Sequence, residues 1–298
     1  MDRKRYVFVR TIQMVFLLWL VLSLLFVFFR LLPGDFTGMM IYRGATEATV
    51  EAFREKWGLN DPLYVQYWKY MSRFVQGDVG TSVVTQTPVI KYVRMKLFNS
   101  FILIAPGITF GYVLGSIFGA IFGRNRGSKL EEWGLLPVIF AGSFPAFFIA
   151  LVLVIVFAGV LNWFPTSGMV SYGQTFGEGT PWWKLYTSKS FMIHYILPFS
   201  AIVLRYLYSP TLIMRTSVVE VLGQDFTFYH RITGISEFDQ LKHLIRHSML
   251  PVITLYPVSM TRAIGGLVLI EKVFNWPGIG SALVSAVLAR DYPVVQFI

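Results

Sequence analysis

The hydrophobic segment from Thr11 to Phe29 reads TIQMVFLLWLVLSLLFVFF and contains no charged residue. A helix needs about 20 apolar residues to cross the hydrocarbon core of a bilayer. Basic residues precede the segment, as in a secretory signal peptide, but a signal core is only about 7–15 residues long. The following residues, 30–34, offer no cleavage site between small side chains. We therefore predict an uncleaved first span over residues 11–32.

Four further apolar blocks have the length of a membrane span, at 99–122, 134–161, 195–217 and 250–273. Only 14% of the 298 residues are charged, whereas about 25% is usual for a soluble domain, so too little polar surface remains to cover a water-soluble globule. Backbone amides must find partners inside a lipid bilayer, and the blocks lack the alternation of barrel strands. The sequence therefore predicts an all-α polytopic membrane protein with five complete spans.

Lysine and arginine residues predict the orientation of these spans. The N-terminus and the loops after spans two and four fall on one side if the spans alternate, and the positive-inside rule makes that side cytoplasmic. A net charge of +10 also suits nucleic-acid binding, but the basic residues lie between apolar blocks, so we predict a lipid bilayer and no nucleic acid as partner. The basic residues are Arg3, Lys4, Arg5 and Arg10, then Arg124, Arg126 and Lys129, then Arg215, Arg231, Lys242 and Arg246.

The predicted organisation has three parts. Residues 1–32 form the cytosolic N-terminus and span one, 33–98 an extracellular segment, and 99–298 the core, with a cytosolic loop at 218–249 and an external segment at 274–293. In the extracellular segment we predict a helix over 46–57 capped by Thr46, and an amphipathic helix over 63–76 closed by Gly77. This pair of helices suits both a position on the membrane surface and the docking of an extracellular partner.

Motifs for catalysis and nucleotide binding are absent from the sequence. It contains no cysteine, no P-loop, no His-Glu-x-x-His and no Gly-x-Ser-x-Gly. His243 and His247 are spaced for metal chelation, but no carboxylate occupies the matching helical position, so we favour surface imidazoles. The chain is predicted to be neither an enzyme nor a metal protein, and to bind no cofactor itself.

Span two carries a glycine at every fourth position. Such a stripe lets two helices approach closely, and the alternative function is an interface that moves during transport. The glycines are Gly107, Gly111, Gly115, Gly119 and Gly123.

The loop 218–249 predicts a helix–turn–helix between two spans. Residues 220–233 form an amphipathic segment, Gly234 suits a left-handed helix end, and Ser236-Glu-Phe-Asp239 matches a capping box. A structure of this kind in the cytosol suits docking to a soluble partner.

Four stretches of the chain, in order, resemble the oligopeptide and dipeptide branch of ABC importer permeases. The loop resembles the EAA loop of that family, with Gly234 followed about sixteen residues later by Leu250-Pro251. The others are Arg30-Leu-Leu-Pro-Gly-Asp35, Gly77-Asp-Val-Gly-Thr-Ser82, and Val273-Phe-Asn-Trp-Pro-Gly-Ile-Gly280 with Arg290-Asp-Tyr-Pro-Val-Val295. The sequence departs from the family at 229–233, where small alanine-rich residues are usual, and at His247, where asparagine is usual.

The resemblance implies the type I ABC importer permease fold and a transport function. The implied partners are a second homologous permease, two cytosolic ATPases that bind ATP and magnesium, and an extracellular solute-binding protein. Peptides are the expected solute, with oligosaccharides or other solutes as the alternative. Six spans are usual, so we expect a sixth span beyond residue 298. The implied ATPase-coupling residues are Glu220, Leu222, Asp225, Phe226, Tyr229, Arg231, Gly234, Ser236, Glu237, His243 and Pro251.

Charges within the spans are candidates for a translocation pathway. Arg205 and Arg262 lie near the middle of spans four and five, where lipid exposure costs at least about 2.5–3.5 kcal/mol. They either line a pathway for anionic or hydrogen-bonding solutes or form structural pairs. Pro257 interrupts span five, and Glu271 at its outer end is predicted to pair with Lys272 or with the partner permease. A self-contained secondary transporter is the rival class, but the spans otherwise lack acids that could couple ions.

Overall fold

The structure, a computed structural model, describes residues 3–31, 38, 41, 46–58, 60–173 and 181–298. No strand is assigned in these ranges, which contain one isolated bridge between Thr81 and Pro88. The all-α architecture predicted from the sequence is therefore confirmed. The helices are α1 Arg3–Leu31, α2 Glu47–Trp57, α3 Leu63–Val75, α4 Val89–Arg124, α5 Lys129–Ser143, α6 Ala146–Leu153, α7 Trp183–Tyr186, α8 Lys189–Val221, α9 Asp225–Ile232, α10 Glu237–Ser248, α11 Leu250–Val273, α12 Ile279–Leu288 and α13 Tyr292–Phe297.

The chain divides into two compact units. The terminal unit comprises Met1–Met95 and Ala282–Ile298, and the central unit comprises Lys96–Ser281. Each unit is described separately below. The boundary falls inside α4, which the sequence predicts to begin only at residue 99.

The terminal unit combines α1, α2, α3 and α13. The Thr46 side chain accepts a hydrogen bond from the Thr49 amide at the start of α2, so the predicted cap is confirmed. The second predicted helix is α3, followed by Gly77 at a φ of 76°. Phe26 of α1 stacks on Tyr70 of α3 at 5.6 Å between ring centroids, and α1 also contacts α13. Helix α3 thus packs against α1, the first hydrophobic helix of its unit.

Three helices of the described residues are long and apolar enough to cross a membrane, namely α1, α4 and α8. Two bent helix pairs raise the number to five if each pair is one span. One pair is α5 with the segment 146–160, and the other lies within α11, whose two halves meet at 59°.

The segment of the predicted span 134–161 is not one straight helix. The helix breaks at Phe144, whose φ and ψ of −96° and 148° are extended, and the two halves meet at 107°. Pro145 explains the break, because proline disfavours a helical conformation at the preceding residue. Beyond α6 the chain continues as a π-helix, Val154–Val160.

The predicted spans 99–122 and 195–217 begin later and end earlier than the helices that contain them, α4 and α8. The first helix of span 134–161 begins earlier than predicted, at Lys129. Ser188 caps α8 by accepting from the Phe191 amide, and Ser128 caps α5 by accepting from the Glu131 amide. These caps add polar turns outside the apolar block, which hydropathy does not detect. The core of the central unit surrounds α8, which contacts α5, α6, α7, α10 and α11.

Candidate coupling and translocation sites

The predicted helix–turn–helix is present as α9 and α10. Glu220 and Val221 still belong to α8, so the first helix of the loop starts at Asp225 rather than at residue 220. Gly234 lies between the two helices at a φ of 67°, and a methyl group added to it would have nothing within 4 Å, so only its backbone conformation restricts substitution there. Ser236 accepts a hydrogen bond from the Asp239 amide, which confirms the predicted cap.

The second helix of the loop is attached to two long helices. Leu244 is buried at 3% exposure in the core that includes α8. At the end of α4, Arg124 donates to the Glu237 carbonyl oxygen at 3.2 Å and lies 3.5 Å from the Glu237 carboxylate. Helix α10 therefore contacts both α4 and α8 directly.

Large apolar side chains project from the loop. Tyr229, Ile232 and Phe238 are 60%, 62% and 77% exposed. Of the predicted coupling residues, Glu220, Asp225, Ser236, Glu237 and Pro251 are exposed, and Leu222 and His243 are half-buried. The side chains of Phe226 and Arg231 lie outside the described residues.

All five glycines of α4 face α8. A methyl group on Gly115 would lie 2.6 Å from the Leu207 carbonyl oxygen, and one on Gly123 would lie 2.7 Å from the Arg215 carbonyl oxygen. Gly111 and Gly119 likewise approach the α8 backbone, and Gly107 approaches Ile202. At Gly115, Gly119 and Gly123 the approach is closer than a side chain allows, so the two helices pack backbone to backbone at these positions.

A buried ion pair joins α5 to α8 near the same end of the unit as Arg124. Arg215 donates from Nε to Glu131 Oε1 at 2.6 Å, and its Nη2 contacts the same oxygen. The Gly127 amide donates to the other oxygen, Glu131 Oε2, at 2.6 Å. The carboxylate is only 8% exposed, so its charge is satisfied almost wholly by these donors.

The helix α11 has one buried and one exposed face. Tyr112 of α4 and Ser259 of α11 share a hydrogen bond of 2.5 Å on the buried side, where Ala263 is 4% exposed. The exposed side carries the apolar residues Ile253, Val258 and Leu269 together with small or polar residues at steps of about four. The small or polar residues are Pro257, Thr261, Arg262, Gly265 and Gly266.

The four predicted pathway residues fall in different surroundings. Arg262 and Pro257 lie together on the exposed face of α11, and Arg205 is half-buried in α8. Glu271 is fully buried, with 0% exposure. Its carboxyl group accepts from Ser100 Oγ at 2.5 Å and from the Ser281 amide at 2.6 Å. These neutral donors reach Glu271 because the chain after α11 folds back over the carboxyl group. The pairing of Glu271 with Lys272 or with the partner permease stays a prediction.

The segment Asn275–Gly280 closes over Glu271 and α4. Trp276 is fully buried and donates to the Asn99 carbonyl oxygen at 2.9 Å, while Asn99 donates to the Pro277 carbonyl oxygen at 2.9 Å. A methyl group on Gly278 would collide with the Glu271 carboxyl group, so this approach requires glycine. The Val273–Gly280 motif therefore covers the Glu271 carboxyl group, and the absence of a side chain at Gly278 leaves room for that group.

Tyr186 adds a further hydrogen bond to the same cluster. Its hydroxyl donates to Asn99 Oδ1 at 2.7 Å, and burial raises the pKa of the hydroxyl above its ordinary value. The phenol therefore remains a donor at neutral pH.

Sequence reasoning missed Asn99, Ser100, Arg124 and Glu131 as structural residues. Asn99 and Ser100 are polar residues at the edge of an apolar block, which is the one signal that marks them. Among the described residues no cluster of three metal-ligating side chains is found. The motif Arg30–Asp35 lies mostly outside the described residues.

The long apolar helices are those of an α-helical membrane protein. Residues 111–298 match the family described as binding-protein-dependent transport system inner membrane component, and residues 3–97 match the N-terminal family of the same membrane components. The chain belongs to this family and is an ABC importer permease of the peptide-type branch, a multi-pass inner-membrane protein.

Similar proteins carry related functions. The chain is 33% identical over 299 aligned residues to the glutathione transport system permease protein GsiC of Escherichia coli O6:H1, covering 98% of this chain and 89% of the relative. The GsiC protein of Shigella dysenteriae serotype 1 shows the same identity and coverage. That of Salmonella paratyphi A is 33% identical over 292 residues with the same coverage.

Proposed function

We propose that this permease imports small peptides, as one of two homologous membrane subunits that work with two cytosolic ATPases and an external solute-binding protein. The N-terminus and the loop 218–249 are cytosolic, and 33–98 is external. The ATPases bind ATP and magnesium and hydrolyse the nucleotide, while this chain supplies surface and pathway. Family membership and the names of the similar permeases support the proposal.

The observation that carries the proposal is the exposure of three large apolar side chains on α9 and α10. Tyr229, Ile232 and Phe238 lie in water in the isolated chain, and a soluble partner that covers them gains the free energy of apolar burial, about 25 cal/mol per Å². The loop is anchored to the central unit, because Leu244 is buried in the core and Arg124 forms an ion pair with Glu237. An anchored loop with exposed apolar side chains suits the transmission of movement from an ATPase to the spans.

The proposed cycle is a rigid-body alternation. Closure of the two ATPases on ATP displaces the α9–α10 loop, and α10 pulls on α4 and α8 through the contacts described above. Because α4 and α8 pack backbone to backbone, they move as one body. The solute then passes from the external binding protein to the cytosol along the exposed face of α11.

The exposed face of α11 suits a peptide. Arg262 offers a planar, permanently charged fork that binds a carboxylate with two parallel hydrogen bonds. Gly265 and Gly266 leave open space beside it, and their exposed backbone admits a close approach by an extended chain.

The test of the proposed coupling uses Gly234→Val. Valine is strongly disfavoured at a φ of 67°, so the turn between α9 and α10 changes and uptake should fall at least tenfold. Gly173→Val is the matched control, because Gly173 also has a positive φ and open space but lies between the predicted spans three and four, on the side opposite the loop 218–249. Both variants are reconstituted with the ATPases and binding protein, and uptake is measured per molecule of ATP hydrolysed.

Three outcomes distinguish the hypotheses. Uptake lost in Gly234→Val and retained in Gly173→Val supports the coupling function. Native uptake per ATP in Gly234→Val contradicts it, and uptake without any added ATPase would instead support a self-contained transporter. The solute itself is identified by mass spectrometry of the ligand bound to the external binding protein.

A further inference from the structure

The loop between α3 and α4 is fixed by its own backbone. The Ser82 amide donates to the Thr87 carbonyl oxygen at 2.9 Å, and the Val89 amide donates to the Gly80 carbonyl oxygen at 3.1 Å. Inside this closed loop the Gln86 amide donates to the Ser82 carbonyl oxygen at 3.0 Å. The loop therefore has one defined conformation at its tip.

Asp291 holds the base of the same loop. Its carboxylate accepts hydrogen bonds from Ser82 Oγ, from the Val83 amide at 3.1 Å and from the Val84 amide at 3.3 Å. Ser82 and Asp291 are only 1% and 3% exposed. Two motifs that stand about 200 residues apart, Gly77–Ser82 and Arg290–Val295, are thus two halves of one buried site in the terminal unit.

The tip of the loop, Val84–Pro88, is exposed although its base is buried. Gln86 occupies the left-handed region with a φ of 55°, and its side chain donates to the Val83 carbonyl oxygen at 2.8 Å. A non-glycine residue in this region is uncommon, and such residues concentrate at functional sites. Because folding fixes this tip in advance, a partner that binds it incurs little ordering entropy.

We propose that the tip Val84–Pro88 is a preformed contact surface for the external solute-binding protein, and that Asp291 is the positioning residue that holds it. The inference rests on the proposed function, which places residues 33–98 outside the cell. The inference specifies which segment of this chain binds the solute-binding protein.

The chemistry of the tip favours a folded protein over the other candidates. Val84, Thr85, Gln86, Thr87 and Pro88 carry no charge, so the tip lacks the basic groups that attract lipid phosphates. It is too polar to insert into hydrocarbon, whereas hydroxyl and amide groups beside one valine match the usual polar rim of a protein interface. The second permease is the remaining candidate and is an outcome of the test.

The first experiment is cross-linking through Thr85→Cys. The chain has no cysteine of its own, so a bifunctional maleimide reacts at one position only. The probe is the purified solute-binding protein that restores uptake to proteoliposomes, carrying its own surface lysines as acceptors for a maleimide–succinimide reagent. Val75→Cys, on α3 and 82% exposed, is the matched control.

We expect a cross-link from position 85 to the binding protein that forms only when its solute is present and is much weaker from position 75. A cross-link from position 85 to the second permease, or equal cross-linking from both positions, overturns the proposal.

The second experiment tests Asp291 by the stimulation of ATP hydrolysis. Asp291→Ala leaves three buried donors without an acceptor, so the tip loses its fixed conformation. We expect the concentration of binding protein needed for half-maximal stimulation to rise about tenfold. Asp61→Asn is the matched control, since Asp61 forms an exposed ion pair with Lys69 in the same segment, and we expect it to behave as the wild type.

The results separate this inference from the proposed function. Stimulation unchanged in Asp291→Ala overturns the inference while importer function stands. If Asp291→Ala does not assemble, Ser82→Ala serves instead, because Asp291 then keeps two amide donors, and we expect a rise of about threefold, with an unchanged value contradicting the inference. Failure of the wild-type complex to respond to any binding protein would instead refute the proposed function.

Discussion

Two glycine-bearing helices of the central unit differ in what covers them. The glycines of α4 lie against the backbone of α8, whereas Gly265 and Gly266 of α11 have nothing within 4 Å of the methyl position. One set of small residues therefore allows two helices of the same chain to touch. The other set lies beside Arg262 on a face that none of the described elements of the central unit covers.

The difference shows that small residues in a membrane helix do not by themselves indicate helix packing. On α4 they form a seam without room for sliding, since carbonyl oxygens of α8 fill the gaps. On α11 they leave space, and space beside a charged residue in a span is needed for a solute or a second subunit. The α4–α8 seam is thus suited to hold two helices together. The α11 face is suited to contact a solute or a second subunit.

The largest effect is expected for Gly119→Val in the seam. Its side chain would collide with the Thr211 carbonyl oxygen and approach Met214 Cβ, and backbone cannot give way as a flexible side chain does. We expect a several-fold lower yield of extracted complex, measured by size-exclusion chromatography. Gly265→Val is the control and should give nearly the wild-type yield. Equal yields would refute the contrast between the two helices.

A second large effect is expected inside α11, at Glu271. Glu271→Ala removes the acceptor of Ser100 and of the Ser281 amide, at a cost of about 1–3 kcal/mol for each unsatisfied donor. We expect a lower thermal midpoint of the purified complex, with a smaller loss for Glu271→Gln, which retains one acceptor oxygen. A midpoint unchanged in both variants would mean that the carboxyl group is dispensable for the packing of the Val273–Gly280 motif.

An intermediate effect, on transport rather than on yield, is expected for Arg262→Ala. If Arg262 binds solute carboxylates, uptake falls and the preference for anionic peptides weakens, while the complex assembles normally. Arg262→Lys should restore only part of the uptake, because lysine lacks the planar fork. Competition between peptides with free and amidated C-termini measures the preference. Reduced yield with normal uptake in the surviving complex would assign Arg262 a structural role.

The smallest perturbation is a single cysteine on each face of α11. Gly265→Cys should react with a small hydrophilic maleimide in the extracted complex, whereas Ala263→Cys, buried at 4% exposure, should not. Neither variant is expected to alter yield strongly. Equal reactivity at the two positions would mean that α11 lacks the two distinct faces described here.

Local sequence signals predicted the helices and caps well. Thr46 and Ser236 occupy N-cap positions, which short hydroxyl side chains favour. Gly234 occupies a turn with positive φ, which a residue without a side chain favours. The roughly periodic exposure of α11 was not evident, because in a membrane span both the lipid-facing and the buried side are apolar. Only the packed structure separates Ala263 from Gly265.

The polar clusters depended on contacts between distant residues. Nothing near Glu271 in the sequence indicates that Ser100, 171 residues away, donates to it. The same holds for Asp291 and Ser82, which are 209 residues apart. The family motifs singled out some of these regions, but which residues contact one another depends on the tertiary fold. The break at Phe144 was detectable from Pro145, yet its angle depends on the helices against which the two halves pack.

The 107° bend has a consequence for synthesis in the membrane. Both α5 and α6 contact α8, and a side chain on Gly142 of α5 would collide with Tyr208 of α8. Because α8 leaves the ribosome after the bent pair, the pair reaches the bilayer before the surface that supports its angle exists. We therefore expect this segment to stay beside the insertion machinery until at least residue 221 has emerged, so that ribosome stalling at shorter lengths leaves it accessible to cross-linking from that machinery.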